Sequence, residues 1–159
     1  MVSIRWCCEQ KEGIKLIDSN DNLAKGYLKM DEDSLGTMNR ERKYNLMFAI
    51  SACYYSMYYS LYSVCMKIGI KCEIHSCTIE FMKKILDNFY SKEDIKIIKK
   101  AFNARNIAKY YVDKIVQKED SDYIMDKAPL FLNKSKDILA KINEKDIKDL
   151  RKKLENHER

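Results

Sequence analysis

One stretch of this chain concentrates groups that can hold a phosphate: Asn103-Ala104-Arg105-Asn106-Ile107-Ala108-Lys109-Tyr110-Tyr111. A guanidinium presents a planar fork of N–H donors and is the side chain best shaped for bidentate phosphate contact. Arg105 and Lys109 stand four residues apart, so on a helix they face the same way. Ala104 and Ala108 flank the arginine, and neighbours this small predict a guanidinium open to a groove. Tyr110 is turned about 140° from Arg105 at 3.6 residues per turn. It reaches the same cleft if another helix closes over it. The competing reading is an arginine neutralised by a carboxylate on a neighbouring helix.

His75 is one of two histidines. Its side chain titrates near neutrality, so it can serve as a phosphate ligand or an acid–base group. The alternative is a histidine in a loop or at a helix cap. His157 lies in a charged tail where no specific role is expected. The spacing Cys72-x2-His75-x-Cys77 faintly resembles a metal site, but zinc sites usually need four ligands in paired spacings, and no second pair follows. No metal and no cofactor are therefore expected. Neither a P-loop nor a GxGxxG motif is present. The remaining cysteines are Cys7, Cys8, Cys53 and Cys65. Met1 to Trp6 is too short and polar for the core of a signal peptide. Reduced thiols in a cytoplasmic protein are the expectation.

The elements that must position these residues read as helices. Four Gly and one Pro in 159 residues favour long helices and short loops. A short amphipathic helix is expected over 2–12, and a second over 21–38 capped by Asn20 or Asp21. The longest pattern runs from about Arg40 to Ile68, about 43 Å of helix, and ends at Gly69. Its apolar and aromatic residues recur at three and four, which is helical periodicity. Residues 71–76 read as a loop and 77–89 as a helix. Ser91-Lys-Glu-Asp94 resembles a capping box and opens a helix over 92–117, whose apolar stripe includes Val112 and Ile115. A further helix over 121–142 contains Pro129, which predicts a kink or a split start. Ile147, Leu150 and Leu154 mark a terminal helix. No strand and no repeat is evident. The fold class is all-α, an up-and-down bundle of four to five helices: one domain over 1–159, a core over about 20–142, and a charged helical tail over 143–159.

Six of the eleven tyrosines lie between Tyr44 and Tyr62. Core packing explains such a run, since tyrosine joins an apolar ring to a polar tip. Yet Tyr54, Tyr55, Tyr58, Tyr59 and Tyr62 cover more than half a helical turn. One helix is then expected to bury two faces, one inside the subunit and one against a partner or a nucleic-acid base. The net charge of +6 is compatible with an RNA or nucleotide partner without requiring one. No stretch reads as a membrane span.

In order, these features resemble the HEPN family, the higher eukaryote and prokaryote nucleotide-binding domain. The resemblance is closest to its small stand-alone archaeal and bacterial members. Leu23-Ala24 to Leu35 is similar to the first helix. Tyr44-Asn45 through Ala52-Cys53-Tyr54-Tyr55-Ser56-Met57-Tyr58 is similar to the tyrosine-rich long helix. Gly69 followed by His75-Ser76 resembles the Gly…His-Ser junction, and Arg105 to Tyr110 the Arg-x-x-Ala-Asp-Tyr segment. Phe131 to Leu139 resembles the closing helix. The resemblance implies a helical bundle, commonly a homodimer, often encoded beside a minimal nucleotidyltransferase in a toxin–antitoxin pair. Many members are metal-independent endoribonucleases whose motif is Arg, four to six residues, then His, at a dimer cleft. Arg105 fits the first position. Tyr110, or Tyr111, stands at the second, and Lys109 replaces the Asp of the non-toxic pattern. An unperturbed tyrosine has a pKa near 10, so binding tolerates this exchange better than catalysis does.

The leading expectation is a dimer that binds a nucleotide or RNA phosphate through Arg105, Lys109, Asn106 and Tyr110, with His75 a further candidate. Metal-independent RNA cleavage using Arg105 and Tyr110 is the alternative. A non-catalytic adaptor docking a partner helix is the third reading.

Overall fold

The computed structural model describes residues 2–158, leaving Met1 and Arg159, the two ends of the expected domain, outside the described residues. The helices are α1 (Ile4–Glu9), α2 (Asp21–Glu41), α3 (Leu46–Ile68), α4 (His75–Lys84), α5 (Lys92–Tyr110), α6 (Lys118–Lys141) and α7 (Glu144–Glu158). The expected all-α bundle is therefore what the chain forms. None of these helices is long and apolar enough to cross a membrane.

Helix α3 is the spine. Ala49, Ile50, Cys53, Tyr54, Met57, Leu61, Val64, Cys65 and Ile68 are buried along one broad side, and Tyr62, Ser63 and Met66 are buried on the opposite side of its C-terminal half. A helix buried on every side belongs in the middle of a bundle. Helices α2, α5 and α6 pack around it. Each fully buried Ile, Leu, Met or Phe contributes roughly 1.5–3 kcal/mol.

Local chemistry sets the ends of the elements. The expected helix from Arg40 is two helices instead: α2 continues to Glu41, a turn follows, and Asn45 caps α3 by accepting a hydrogen bond from Phe48 N at 3.2 Å. Asparagine is among the best capping residues, and its extended backbone here stops one helix from running into the next. The Lys67–Asp21 ion pair at 2.7 Å joins the last turn of α3 to the first turn of α2, so the two run antiparallel. Gly69 ends α3 with φ +85°, and a Cβ there would collide with the Ile17 carbonyl and Arg151. The capping box at Ser91 forms: Ser91 Oγ accepts from Asp94 N, and Asp94 Oδ2 accepts from Ser91 N at 2.7 Å.

Several expectations are corrected. A short antiparallel pair, β1 (Lys15–Leu16) with β2 (Ile70–Lys71), appears where no strand was expected. Two-residue strands carry no readable alternation, and long-range contacts alone create this pair. Nearby, Arg151 on α7 donates from Nη1 to the carbonyls of Ile17, Ile68 and Gly69 at 2.8, 3.1 and 3.3 Å. Helix α4 starts at His75 and stops at Lys84, with Ile85, Leu86 and Tyr90 buried in the turn that follows. Helix α5 stops at Tyr110, and Val112 and Ile115 are exposed instead of joining its stripe. Helix α6 is one continuous helix with Pro129 inside it, not a split start.

The thiols are not all reduced. Cys7 on α1 and Cys77 in the first turn of α4 form a disulfide across a sequence separation of 70, with Cα atoms 5.5 Å apart. Packing of α1 on α4 brings them together, and nothing in the local spacing signals it. Cys77 is thereby removed from the Cys72-His75-Cys77 spacing, while the Cys72 thiol donates to the Ile74 carbonyl.

A second buried feature lies between α2 and α3. Asp31 is fully buried and accepts hydrogen bonds from Ser56 Oγ at 2.5 Å and from Ser60 Oγ. Burial pushes its carboxyl up to about 6, against the serine hydrogen bonds and the charge of Lys136, with Glu32 pushing the same way as burial.

Candidate functional site

The site is built where the N-terminal half of α3 faces α5 and the start of α4. Tyr54 and Tyr55 come from α3, His75 from α4, and Arg105, Asn106, Lys109 and Tyr110 from α5. All five candidate residues therefore border one aromatic layer, although they lie up to 35 residues apart in sequence.

Arg105 is at its centre, and the expectation of an open guanidinium is overturned: the residue is buried, 8% exposed. Its flanking alanines let the helix press closely on α3, which sinks the arginine into the layer. No carboxylate neutralises it among the described residues. Nη2 donates to Tyr55 Oη at 2.7 Å and Nη1 to Asn106 Oδ1 at 2.8 Å. Nε is buried and has no hydrogen-bond partner among the described residues. The rings of Tyr54, Tyr55 and Tyr110 lie 5.7, 5.3 and 5.5 Å from Cζ. Their π-faces attract a cation, by roughly 0.5–1 kcal/mol each where water is near and more where it is excluded. Rings and neutral oxygens thus hold a positive charge that an acid would ordinarily neutralise.

Lys109, one turn on, is exposed, with Nζ 5.9 Å from the Tyr55 ring. The shared facing with Arg105 that the spacing predicts is present. Tyr110 is 64% exposed, yet its ring still reaches Arg105, so the 140° turn does not separate them. Asn106 is half-buried and spends its amide oxygen on Arg105.

His75 is half-buried and stacks on Tyr58, with ring centroids 4.2 Å apart and planes 17° apart. It opens α4 without capping it. Its Nδ1 shares a hydrogen bond of 2.6 Å with Tyr54 Oη. Burial, reinforced by the nearby Arg105 charge, lowers its pKa below the usual 6.5, so the ring is neutral near pH 7. Burial raises the Tyr54 phenol far above its ordinary value, so that group also stays neutral. With both uncharged, either atom can donate.

Tyr55 links this cluster to the surface. Its hydroxyl is held by Arg105, while its ring lines an open groove of about 710 Å³ between α2 and α3. Sequence reasoning placed Tyr55 in the aromatic stripe but did not assign it to Arg105. The groove itself carried no sequence signal, because it depends on how α2 and α3 diverge.

A sequence model of the HEPN domain matches residues 32–139, which carry Tyr54, Tyr55, His75 and Arg105 alike. A protein of Methanocaldococcus jannaschii named "Putative toxin MJ0142" is 33% identical over 98 residues, covering 60% of this chain and 67% of that protein. The matched region spans about two thirds of the chain and contains the whole aromatic layer around Arg105, and the protein belongs to the HEPN domain family.

Proposed function

We infer that the chain binds RNA or a nucleotide through its phosphate at the Arg105–Lys109 edge, with Tyr110 beside it. The observation that carries this reading is Arg105: a buried guanidinium with no carboxylate, a partnerless Nε, and an exposed lysine one turn away. A cation left without an acid in a structural core costs several kcal/mol. A phosphate arriving beside the guanidinium would supply the missing countercharge. The acting species is a homodimer. Tyr44, Tyr111, Val112 and Ile115 leave apolar surface exposed outside the groove, which supports a second copy lying against it. The relative's name supports a toxin role, and the family resemblance supports a nucleotidyltransferase partner in a cytoplasmic toxin–antitoxin pair.

The test is a fluorescence titration with labelled single-stranded RNA and with ATP at two salt concentrations. Binding is expected to weaken as salt rises, because phosphate contacts release counterions. Arg105→Ala and Lys109→Ala are expected to weaken it further. No binding at low salt would refute the reading and leave the adaptor role. Light scattering tests the dimer.

His75 favours one second reading, metal-independent RNA cleavage. The imidazole absent from the Arg105-to-Tyr110 spacing stands against the same aromatic layer, donated by α4. With Nδ1–H donated to Tyr54, Nε2 carries a lone pair able to take a proton from a 2′-hydroxyl. Arg105 would stabilise charge on the phosphorus oxygens. Cleavage that survives EDTA and is lost in both Arg105→Ala and His75→Ala supports it. Cleavage that survives either substitution overturns it.

A further inference from the structure

The open groove between α2 and α3 has a construction that phosphate binding alone does not explain. Its floor is apolar, formed by Met30, Met47, Phe48, Ala52, Tyr55 and Tyr59. Phe48 is 56% exposed, so this surface has no cover among the described residues. The Tyr55 and Tyr59 rings stack at 5.7 Å and 27° to form one wall. Arg105 pins the Tyr55 hydroxyl, which fixes the orientation of that wall before any ligand arrives. The volume of about 710 Å³ falls within the range of roughly 300–1,000 Å³ usual for small-ligand sites.

The two rims are opposite in charge. Lys109 borders the groove on the α5 side, beside the Arg105 cluster. Asp33, Ser34 and Thr37 border it on the α2 side. The Asp33 carboxylate is exposed and only loosely paired with Lys29, at 3.7 Å. A ligand fitting both rims carries a negative group at one end, a flat apolar body, and hydrogen-bond donors at the other end. A purine nucleotide unit has this layout: phosphate, ring, then ring N–H or exocyclic amino groups. Asp33 repels the phosphate and accepts from the base edge, so only one orientation suits both rims.

We propose that this groove holds an unpaired purine base of a single-stranded RNA, stacked against Tyr55 and Tyr59, with its phosphate on Lys109 and its donor edge towards Asp33. The proposal rests on the reading of the chain as an RNA-binding protein. It adds a base site, a direction for the strand, and a preference among bases. The competing occupant is a second copy of the chain, whose apolar surface would fill the floor.

The experiment measures fluorescence anisotropy of labelled hexa-adenylate and hexa-uridylate with the full chain, with AMP as competitor. Two variants probe the groove: Ser34→Trp, which fills it from the α2 rim, and Phe48→Ala, which removes floor. Thermal melts check that each still folds. Hexa-adenylate is expected to bind more tightly than hexa-uridylate, and each variant to weaken it roughly tenfold, the scale of losing one base stack. Competition by AMP, itself lost in Ser34→Trp, would support the site with a mononucleotide as the source. Failure of AMP to compete, with hexa-adenylate still weakened in Ser34→Trp and Phe48→Ala, would support it with a polynucleotide as the source. Equal affinity for the two oligomers with no effect of either variant would overturn the base site while leaving RNA binding intact. Loss of self-association in Ser34→Trp with RNA affinity unchanged would overturn it in favour of the second copy. No RNA binding at all would instead remove the underlying reading.

Discussion

Replacing Arg105 with methionine separates a ligand-binding arginine from a packing one. Methionine keeps a long flexible stem and removes the charge. The variant loses hydrogen bonds to Tyr55 Oη and Asn106 Oδ1, about 1.5 kcal/mol each for a charged donor. It also loses three ring contacts, about 0.5–1 kcal/mol each. On the other side stands a buried cation without a carboxylate, an effective penalty of several kcal/mol. The partnerless Nε adds about 1–3 kcal/mol to that cost. Tyr55 is half-exposed, so water can take over its hydroxyl. The two sides nearly cancel, and Arg105→Met is expected to change stability by no more than about 2 kcal/mol in either direction. Melting should shift by at most roughly 4–8 °C. RNA affinity, in contrast, should fall about 10- to 100-fold, the scale of one charge-assisted phosphate contact. Urea unfolding followed by circular dichroism gives the first quantity and anisotropy with labelled RNA the second. A stability loss beyond about 3 kcal/mol with affinity unchanged would show that Arg105 is a packing residue and refute this reasoning.

Asp31 should make stability fall as pH rises. Its folded pKa of about 6 lies above the ordinary 3.8, so the folded state holds the proton more tightly, and the advantage is lost as pH climbs through about 6. The advantage of wild type over Asp31→Asn should therefore shrink by about 3 kcal/mol between about pH 3 and pH 7; urea melts giving a constant difference would contradict this. Reduction of the Cys7–Cys77 disulfide frees a loop spanning a separation of 70 and should cost about 4 kcal/mol, lowering Tm by roughly 10 °C. Calorimetry with and without reductant tests it, and an unchanged Tm would be the contrary result. His75 should titrate below 6.5, and its midpoint should rise in Arg105→Met because both burial and that charge oppose the imidazolium. Proton NMR follows its ring resonances, and a midpoint at or above 6.5 in wild type would contradict the buried placement.

Much of the scaffold was readable residue by residue. Asn20, Ser91 and Gly69 terminate helices where their types predict, because capping is a contact within one turn. The placement of Arg105, Lys109 and Tyr110 on one helix was readable for the same reason. Asn45 is a capping residue too, and the helix boundary it sets was missed inside an otherwise unbroken apolar pattern. Asp31 also left a trace, since it falls in register with Ala24 and Met38 on the buried side of α2, yet a lone acid at such a position does not reveal its serine partners.

Local patterning was thus sufficient for the all-helical class, for most of the helices and for the grouping of Arg105, Lys109 and Tyr110 on one of them, since each depends on neighbours a few positions apart. Long-range packing alone decided that Arg105 is sunk among tyrosines instead of open, that Cys7 meets Cys77, and that α2 and α3 part to leave a groove. Tyr55 and Arg105 are separated by 50 residues. Whether such a pair ends in water, on an acid or on a ring depends on where two helices cross, and helical periodicity carries no information about that crossing.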